Sequence, residues 1–332
     1  MSERRPFDFD AFFRARPVIL APMEDVTDEV FRTICRRRGA ELCVTEFVNA
    51  EGLIAGTTEA TKKITLGQND APTAIQIYGA DPERLAEAAE IAARAEPAFV
   101  DINCGCWVPK VARTGAGAGW LGEPDAMIEM AKLVVSRLAL PVTVKTRIGT
   151  GREGPGSSSG DGMPIVDLAR RLEDAGVRAI AIHCRVAKKG HDGKADWSWA
   201  QKARKAVKIP VIVNGDIRSA DDAERALAQT RCAGVMIGRR AIEHPWVFRE
   251  ARSKLDGRGI HPRPTHEERV ELAREHLLLL RDARGERAAV RAMRGLYPGY
   301  LAGVPDATTV LRRLPTITEL PEVLDILDGI LA

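Results

Sequence analysis

Eight short apolar runs recur along the first 240 residues, at 18–23, 42–47, 73–79, 99–103, 142–147, 179–184, 211–215 and 234–238, with helical stretches between them. Seven of the eight lack the polar alternation of a half-exposed strand, so each is expected to be buried on both faces. The intervening segments carry helix signals. "DEVFRTICRRRG" follows Thr27 as N-cap and stops at Gly39. "DPERLAEAAEIAARA" has Asp81 as cap and Pro82 at the first helical position, and "SADDAERALAQT" opens on Ser219. Strands alternating with helices in this way predict a closed parallel (β/α)8 barrel, the TIM barrel of the α/β class, over 1–249. An open doubly wound sheet is the rival, but no GxGxxG follows the first strand. After about Phe248 the strand pattern stops, and 250–332 reads as a small all-helical domain. "GTGREGPGSSSGDG", 149–162, reads as a flexible loop after the fifth strand.

The length of 332 residues suits one large barrel with an appendage. No apolar run approaches the ~20 residues that span a bilayer, so no membrane segment is expected. The start, "MSERRPFDFDAFFRARP", has no continuous apolar stretch and does not read as a secretory signal. The six cysteines form no CxxC pair, which fits a reduced, cytoplasmic protein, and a monomer is expected. A net charge of +3 permits nucleic-acid binding without demanding it.

In such a barrel the chemistry sits at the C-terminal ends of the strands. Here those ends carry Ala21-Pro22-Met23, Gln76, Asn103 with Cys106, Lys145 with Arg147, His183 with Arg185, Asn214-Gly215-Asp216 and Gly238-Arg239. One such residue reads as a satisfied hydrogen-bonder. Seven strands aiming them at one mouth is costly unless the groups are used, and a functional site is expected there. "NGD" and "GRR" put glycine amides where barrels commonly bind phosphate, and Arg239 can add a bidentate charge. A phosphate at the rim and a lone Lys145 at the centre suit a flat cofactor such as FMN. A sugar-phosphate substrate suits the same pattern. Taken singly, "NGD" reads as a turn and Lys145 as half of a buried ion pair.

"DINCGCWVPKV" places Cys104 and Cys106 one residue apart. A zinc site needs about four ligands, and no second cluster stands nearby, so no metal is expected. A strand ending at Asn103 leaves Cys106 on a loop over the site. An ordinary thiol, with a pKa of about 8.5, is mostly protonated at neutral pH and can act as a general acid. Cys104, Cys35, Cys43, Cys184 and Cys232 read as small packed hydrophobes.

"LAPMEDVTDEVFR", "NCGCWVPKV" with "GAGAGWL", "VTVKTRIG", "IHCR" with "GKADW", "VIVNGDI" and "GVMIGRRAIEHPWVF" together resemble the FMN-dependent tRNA-dihydrouridine synthases, in that family's order and spacing. "AVRAMRGLYPGYLAG" resembles the family's helical C-terminal domain. The resemblance implies FMN at the barrel mouth, NADPH as reductant and tRNA gripped by the helical domain. By motif, Ala21, Pro22 and Met23 line the flavin. Gln76, Lys145 and His183 contact it, and Asn214, Gly215, Asp216, Gly238 and Arg239 hold its ribityl phosphate. Asn103, Lys145, Arg147 and Arg185 surround the uracil, and Cys106 is the catalytic cysteine. In the implied reaction NADPH reduces FMN, hydride passes from N5 to C6 of a uridine, and Cys106 protonates C5. The uridine must leave its stack to get there. Trp107 stands where the family has proline, which predicts a reshaped loop, and Cys184 and Val186 depart from its "HGRT" pattern.

Arg284, Arg287, Arg291 and Arg294 are spaced three, four and three apart, with Arg281 a turn earlier. On one helix they form a stripe suited to a phosphate backbone or simply to solvent. Tyr297 and Tyr300 read either as base-stacking rings or as core. Two rival functions fit the same residues: a flavin barrel acting on a small dihydropyrimidine, and an RNA-binding barrel that no longer catalyses.

Overall fold

The structure, a computed structural model, describes residues 7–67, 70–151, 165–259 and 261–331. Eight strands make the barrel: β1 (Val18–Leu20), β2 (Leu42–Val44), β3 (Thr73–Tyr78), β4 (Val100–Cys104), β5 (Val142–Arg147), β6 (Ala179–His183), β7 (Val211–Asn214) and β8 (Gly234–Ile237). Neighbours pair in parallel throughout, and β1 pairs with both β8 and β2, so the ring is closed. A two-residue strand, Val48–Asn49, lies beside β3. Most strands end one to three residues before the expected positions, because the apolar pattern runs on past the last ladder bond, as at Met23, Phe47 and Gly79. β4 instead runs through Cys104.

Inside the ring, Ile19, Leu42, Val44, Ala181, Ile212 and Met236 pack against Phe99 and against Phe9 and Phe13 of the helix Phe9–Arg14. The Phe9 and Phe99 rings meet edge to face at 5.6 Å. This aromatic plug fills the end of the barrel opposite the polar residues, so among the described residues the other mouth is the open one.

The helix Glu29–Arg37 is capped by Asp28, whose carboxylate accepts from the Phe31 N–H, not by Thr27. The Thr27 hydroxyl instead donates to the Met23 carbonyl and accepts from the Met23 N–H, which fixes the turn after β1. The loop expected over 149–162 lies mostly outside the described residues.

A second core gathers the helices His266–Arg284, Glu286–Met293 and Leu320–Leu331 around Val30, Ile34 and Trp246 of the barrel. The helix Val247–Leu255 crosses the expected boundary at 249, and its Val247, Phe248 and Ala251 belong to the barrel core. Trp246 is the anchor. It is 2% exposed, and the guanidiniums of Arg38 and Arg269 stand 5.9 and 5.5 Å from its ring centroid. Arg37 and Arg38 pair with Glu275, and Arg284 pairs with Asp28. Trp246→Ala is expected to cost about 3–5 kcal/mol, read as a lower denaturant midpoint. An unchanged midpoint would contradict the anchoring role.

The arginine spacing and the two tyrosines are decided here. Gly285, at φ +81, separates two helices, so the arginines do not form one stripe. Arg284 is held by Asp28, and Arg294 donates to the Ile317 carbonyl at 3.0 Å. Arg287 and Arg291 are exposed on the second helix. Tyr297 and Tyr300 are buried in the second core, with the Tyr300 hydroxyl 3.0 Å from His276 Nδ1, and cannot stack on a base. Among the described residues no helix is long and apolar enough to cross a membrane.

Candidate active site

The strand register sets the site. Asn103 lies beside Lys145, Arg147 beside His183, and His183 beside Asn214. These side chains open into a cavity of about 800 Å³ that is also lined by Ala21, Pro22, Met23, Cys106, Gly215, Asp216, Gly238 and Arg239. That volume lies within the usual range for small-molecule sites.

A string of hydrogen bonds rises from inside the barrel to the cysteine. The fully enclosed Asp101 carboxylate accepts from Thr143 Oγ1 and, at 2.6 Å, from Gln76 Nε2. Gln76 Oε1 accepts from Asn103 Nδ2 at 2.9 Å. Asn103 Oδ1 then accepts the backbone N–H groups of Gly105 at 3.1 Å and Cys106 at 2.9 Å. The loop therefore leaves β4 in a fixed direction. Burial raises the Asp101 pKa, while Gln76, Thr143 and Lys145 oppose that. Gln76 is 0% exposed and does not line the cavity. The flavin contact expected for it is replaced here by support of Asn103.

Cys106 is half-buried at the cavity wall. Burial pushes its thiol above the usual range, opposed by the Val108 N–H, Arg147 and Lys145. The thiol is therefore protonated at neutral pH. The Cys106 carbonyl accepts from Ala118 N at 2.9 Å. A Cβ at Gly117, whose φ is +56, would stand 2.8 Å from that carbonyl oxygen. The glycine-rich run after the cysteine is what lets the chain pass so close. Cys104 points away into the packing between sheet and helices.

Lys145 Nζ reaches Asn214 Oδ1 at 3.3 Å, with no carboxylate partner among the described residues. It is not half of an ion pair. Burial, then the Arg147 charge, lower its pKa to about 8. Arg147 staples two loops, with Nε donating to the Gly105 carbonyl at 2.8 Å and Nη1 to the Gly190 carbonyl at 2.9 Å. Burial lowers its pKa to about 10, so it stays cationic.

Burial first, then Arg147, Lys145 and Arg185, hold His183 far below its usual pKa, so the ring is neutral. Arg185 Nη1 stands 3.2 Å from His183 Nε2. A guanidinium can only donate, so Nε2 accepts and the ring proton sits on Nδ1. Arg185 itself is 2% exposed and outside the cavity lining. It pairs with Asp216 at 2.7 Å. The uracil contact expected for Arg185 gives way to a supporting position behind His183 and Asp216. The Asp216 carboxylate, held by Arg185 and the Ala195 N–H, lies below the usual range because these donors outweigh its burial.

The sequence reading missed four residues. Arg218 and Arg240 line the cavity from beside "NGD" and within "GRR", and those motifs were signal enough. Asp101 shares an inward face with Asn103, which the two-residue strand period shows. His191 comes from the loop after β6, and no local pattern marks it.

A family model described as dihydrouridine synthase (Dus) matches residues 19–330. The chain belongs to the dihydrouridine synthase family. A probable tRNA-dihydrouridine synthase of Aquifex aeolicus is 35% identical over 300 residues, 89% of this chain and 90% of that protein. tRNA-dihydrouridine synthase B of Pseudomonas aeruginosa is 35% identical over 290 residues, 87% and 85% of the two chains. This member of the dihydrouridine synthase family is accordingly an oxidoreductase on a closed barrel. Among solved structures, a 2-naphthoyl-CoA reductase in complex with 2-naphthoyl-CoA superposes with a TM-score of 0.55 at 14% identity, over 73% of this chain and 50% of that one. That likeness is one of fold alone.

Proposed function

We propose that this chain reduces uridine in tRNA to 5,6-dihydrouridine, with FMN held in the barrel mouth and NADPH as the reductant. The observation that carries the reading is one cavity that joins a protonated thiol, Cys106, to an amine, Lys145, that makes no salt bridge among the described residues. The residues fit an anionic, flat cofactor. Lys145 makes no salt bridge among the described residues, Gly215 and Gly238 line the cavity, and the Arg218 and Arg239 side chains stand 69% and 51% exposed at the rim. A bound flavin would supply hydride to C6 of the pyrimidine. The chain does the rest. Cys106 carries the proton that C5 needs. Lys145 and Arg147 stabilise the enolate-like charge that builds on the uracil oxygens, and the neutral His183 offers its Nδ1–H as a donor. The Asp101–Gln76–Asn103 string keeps the cysteine loop in place, so the thiol needs no search for its position.

The helical segment, with Arg287 and Arg291 exposed, is proposed to grip the tRNA body. We place the reaction in the cytoplasm, on a monomer. Gly215, at φ +109, leaves no room for a side chain. An added Cβ would lie 2.9 Å from both Ala195 Cβ and His183 Cδ2. Gly215→Ala is therefore expected to weaken flavin retention at least about tenfold, measured as 450 nm absorbance per protein after dialysis, with roughly that wavelength being general to oxidised flavins. Undiminished retention would remove Gly215 from the cradle. The function itself is tested by comparing dihydrouridine across tRNA from cells with and without this gene. Identical maps would refute it.

A further inference from the structure

Trp107 has no role so far. It follows Cys106 directly and lines the cavity. Among the described residues the exposed large hydrophobic side chains are Trp107 at 38%, Val108 at 43% and Leu331 at 42%. Two of these three are adjacent at the cavity mouth. A large ring left half in solvent beside a reactive group marks a contact surface, since burial elsewhere is favourable.

The ring is also held still. A Cβ added at Gly190 would lie 3.0 to 3.2 Å from three atoms of the indole, so the glycine backbone rests against one ring face. His191 meets the indole edge to face, with centroids 5.9 Å apart at 87°. Burial and the nearby arginines lower the His191 pKa to about 4, so this neighbour is neutral. Arg147 donates to the Gly190 and Gly105 carbonyls, which ties the glycine against the indole to the segment that leads into Cys106 and Trp107. The platform is thus built before anything lands on it. Five cationic side chains, Lys145, Arg147, Arg218, Arg239 and Arg240, line the cavity against the carboxylates of Glu24, Asp216 and Glu243, and Asp216 is already paired. A rigid aromatic face beside positive charge is the chemistry that receives a nucleobase and its phosphate.

We infer that Trp107 is the stacking platform for a second nucleobase of the RNA substrate, a neighbour of the uridine that enters the cavity. This rests on the reading that the cavity takes a uridine of RNA. Extruding one base removes a stacking partner from the next, and the indole replaces that partner at the rim.

The test compares wild type with W107F, W107A and W107P on a tRNA transcript. W107A and W107P are expected to raise KM for the transcript about tenfold, with a smaller change in kcat, and W107F is expected to stay near wild type. A KM for the transcript that stays at the wild-type value in W107A would overturn the inference. So would a rise in KM for NADPH alone, which would put the indole against the nicotinamide. Binding gives a second readout that needs no turnover. Titration with the transcript should quench indole emission in wild type, and that component should vanish in W107F with affinity preserved. Equal quenching in both proteins would overturn the stacking contact. A wild type that binds and quenches yet makes no dihydrouridine would leave the platform standing and defeat the reading of the reaction.

Discussion

Cys106→Ala is expected to lower dihydrouridine formation roughly 10²–10⁴-fold, the usual contribution of a positioned general acid. tRNA affinity should change little, because the cysteine is half-buried at the cavity wall and its backbone contacts survive the substitution. Those contacts belong to the Cys106 N–H and carbonyl, not to the sulfur. The effect should therefore appear in kcat. Burial raises the thiol pKa, so the loss of activity that comes from the thiol ionising should lie at alkaline pH, above the limb that Lys145 sets. Cys106→Ser, whose hydroxyl does not titrate in that range, should lack the thiol's limb. A rate in Cys106→Ala within threefold of wild type would remove the thiol from the reaction.

Lys145→Met is expected to cost about 10²–10³-fold, the scale of removing one preorganised charge from a developing anion. Methionine keeps much of the side-chain volume and removes the cation. Asn214 loses one partner but keeps its 2.7 Å bond to the Met236 carbonyl, so β7 and β8 should stay in register. The sign of the pH effect follows from burial. The Lys145 pKa is lowered to about 8, so the amine is cationic below that pH and increasingly neutral above it. Wild-type protein should lose activity, and hold anionic cofactor less tightly, as pH rises through that region. Lys145→Met should show neither dependence. An unchanged rate would leave the central amine without a role.

The barrel was legible because its strands are buried on both faces. Each of the eight apolar runs begins within a residue of an observed strand. Strand ends were less legible, since Met23, Phe47 and Gly79 extend the apolar pattern beyond the last ladder bond. The residue types at the mouth were readable, and the direction of each was not. Gln76 and Arg185 look like ligand contacts in sequence, yet one carries Asn103 and the other carries Asp216. Such hydrogen bonds join residues tens of positions apart, and no local window contains both partners. The arginine stripe failed for a local reason: Gly285 carries a backbone conformation that ends the helix. Spacing arguments assume a helix that continues. Tyr297 and Tyr300 were ambiguous because only packing decides whether an aromatic ring faces a core or a ligand.

The central claim is that one barrel mouth brings the thiol, the amine and a flavin to a uridine of tRNA. Its most direct measurement supplies flavin-loaded protein with NADPH and an unmodified tRNA transcript, and counts dihydrouridine by mass spectrometry. The account predicts dihydrouridine with wild-type protein and at least a hundredfold less with Cys106→Ala. Flavin that NADPH reduces, followed by no dihydrouridine in the transcript, would contradict it, as would equal product from the two proteins.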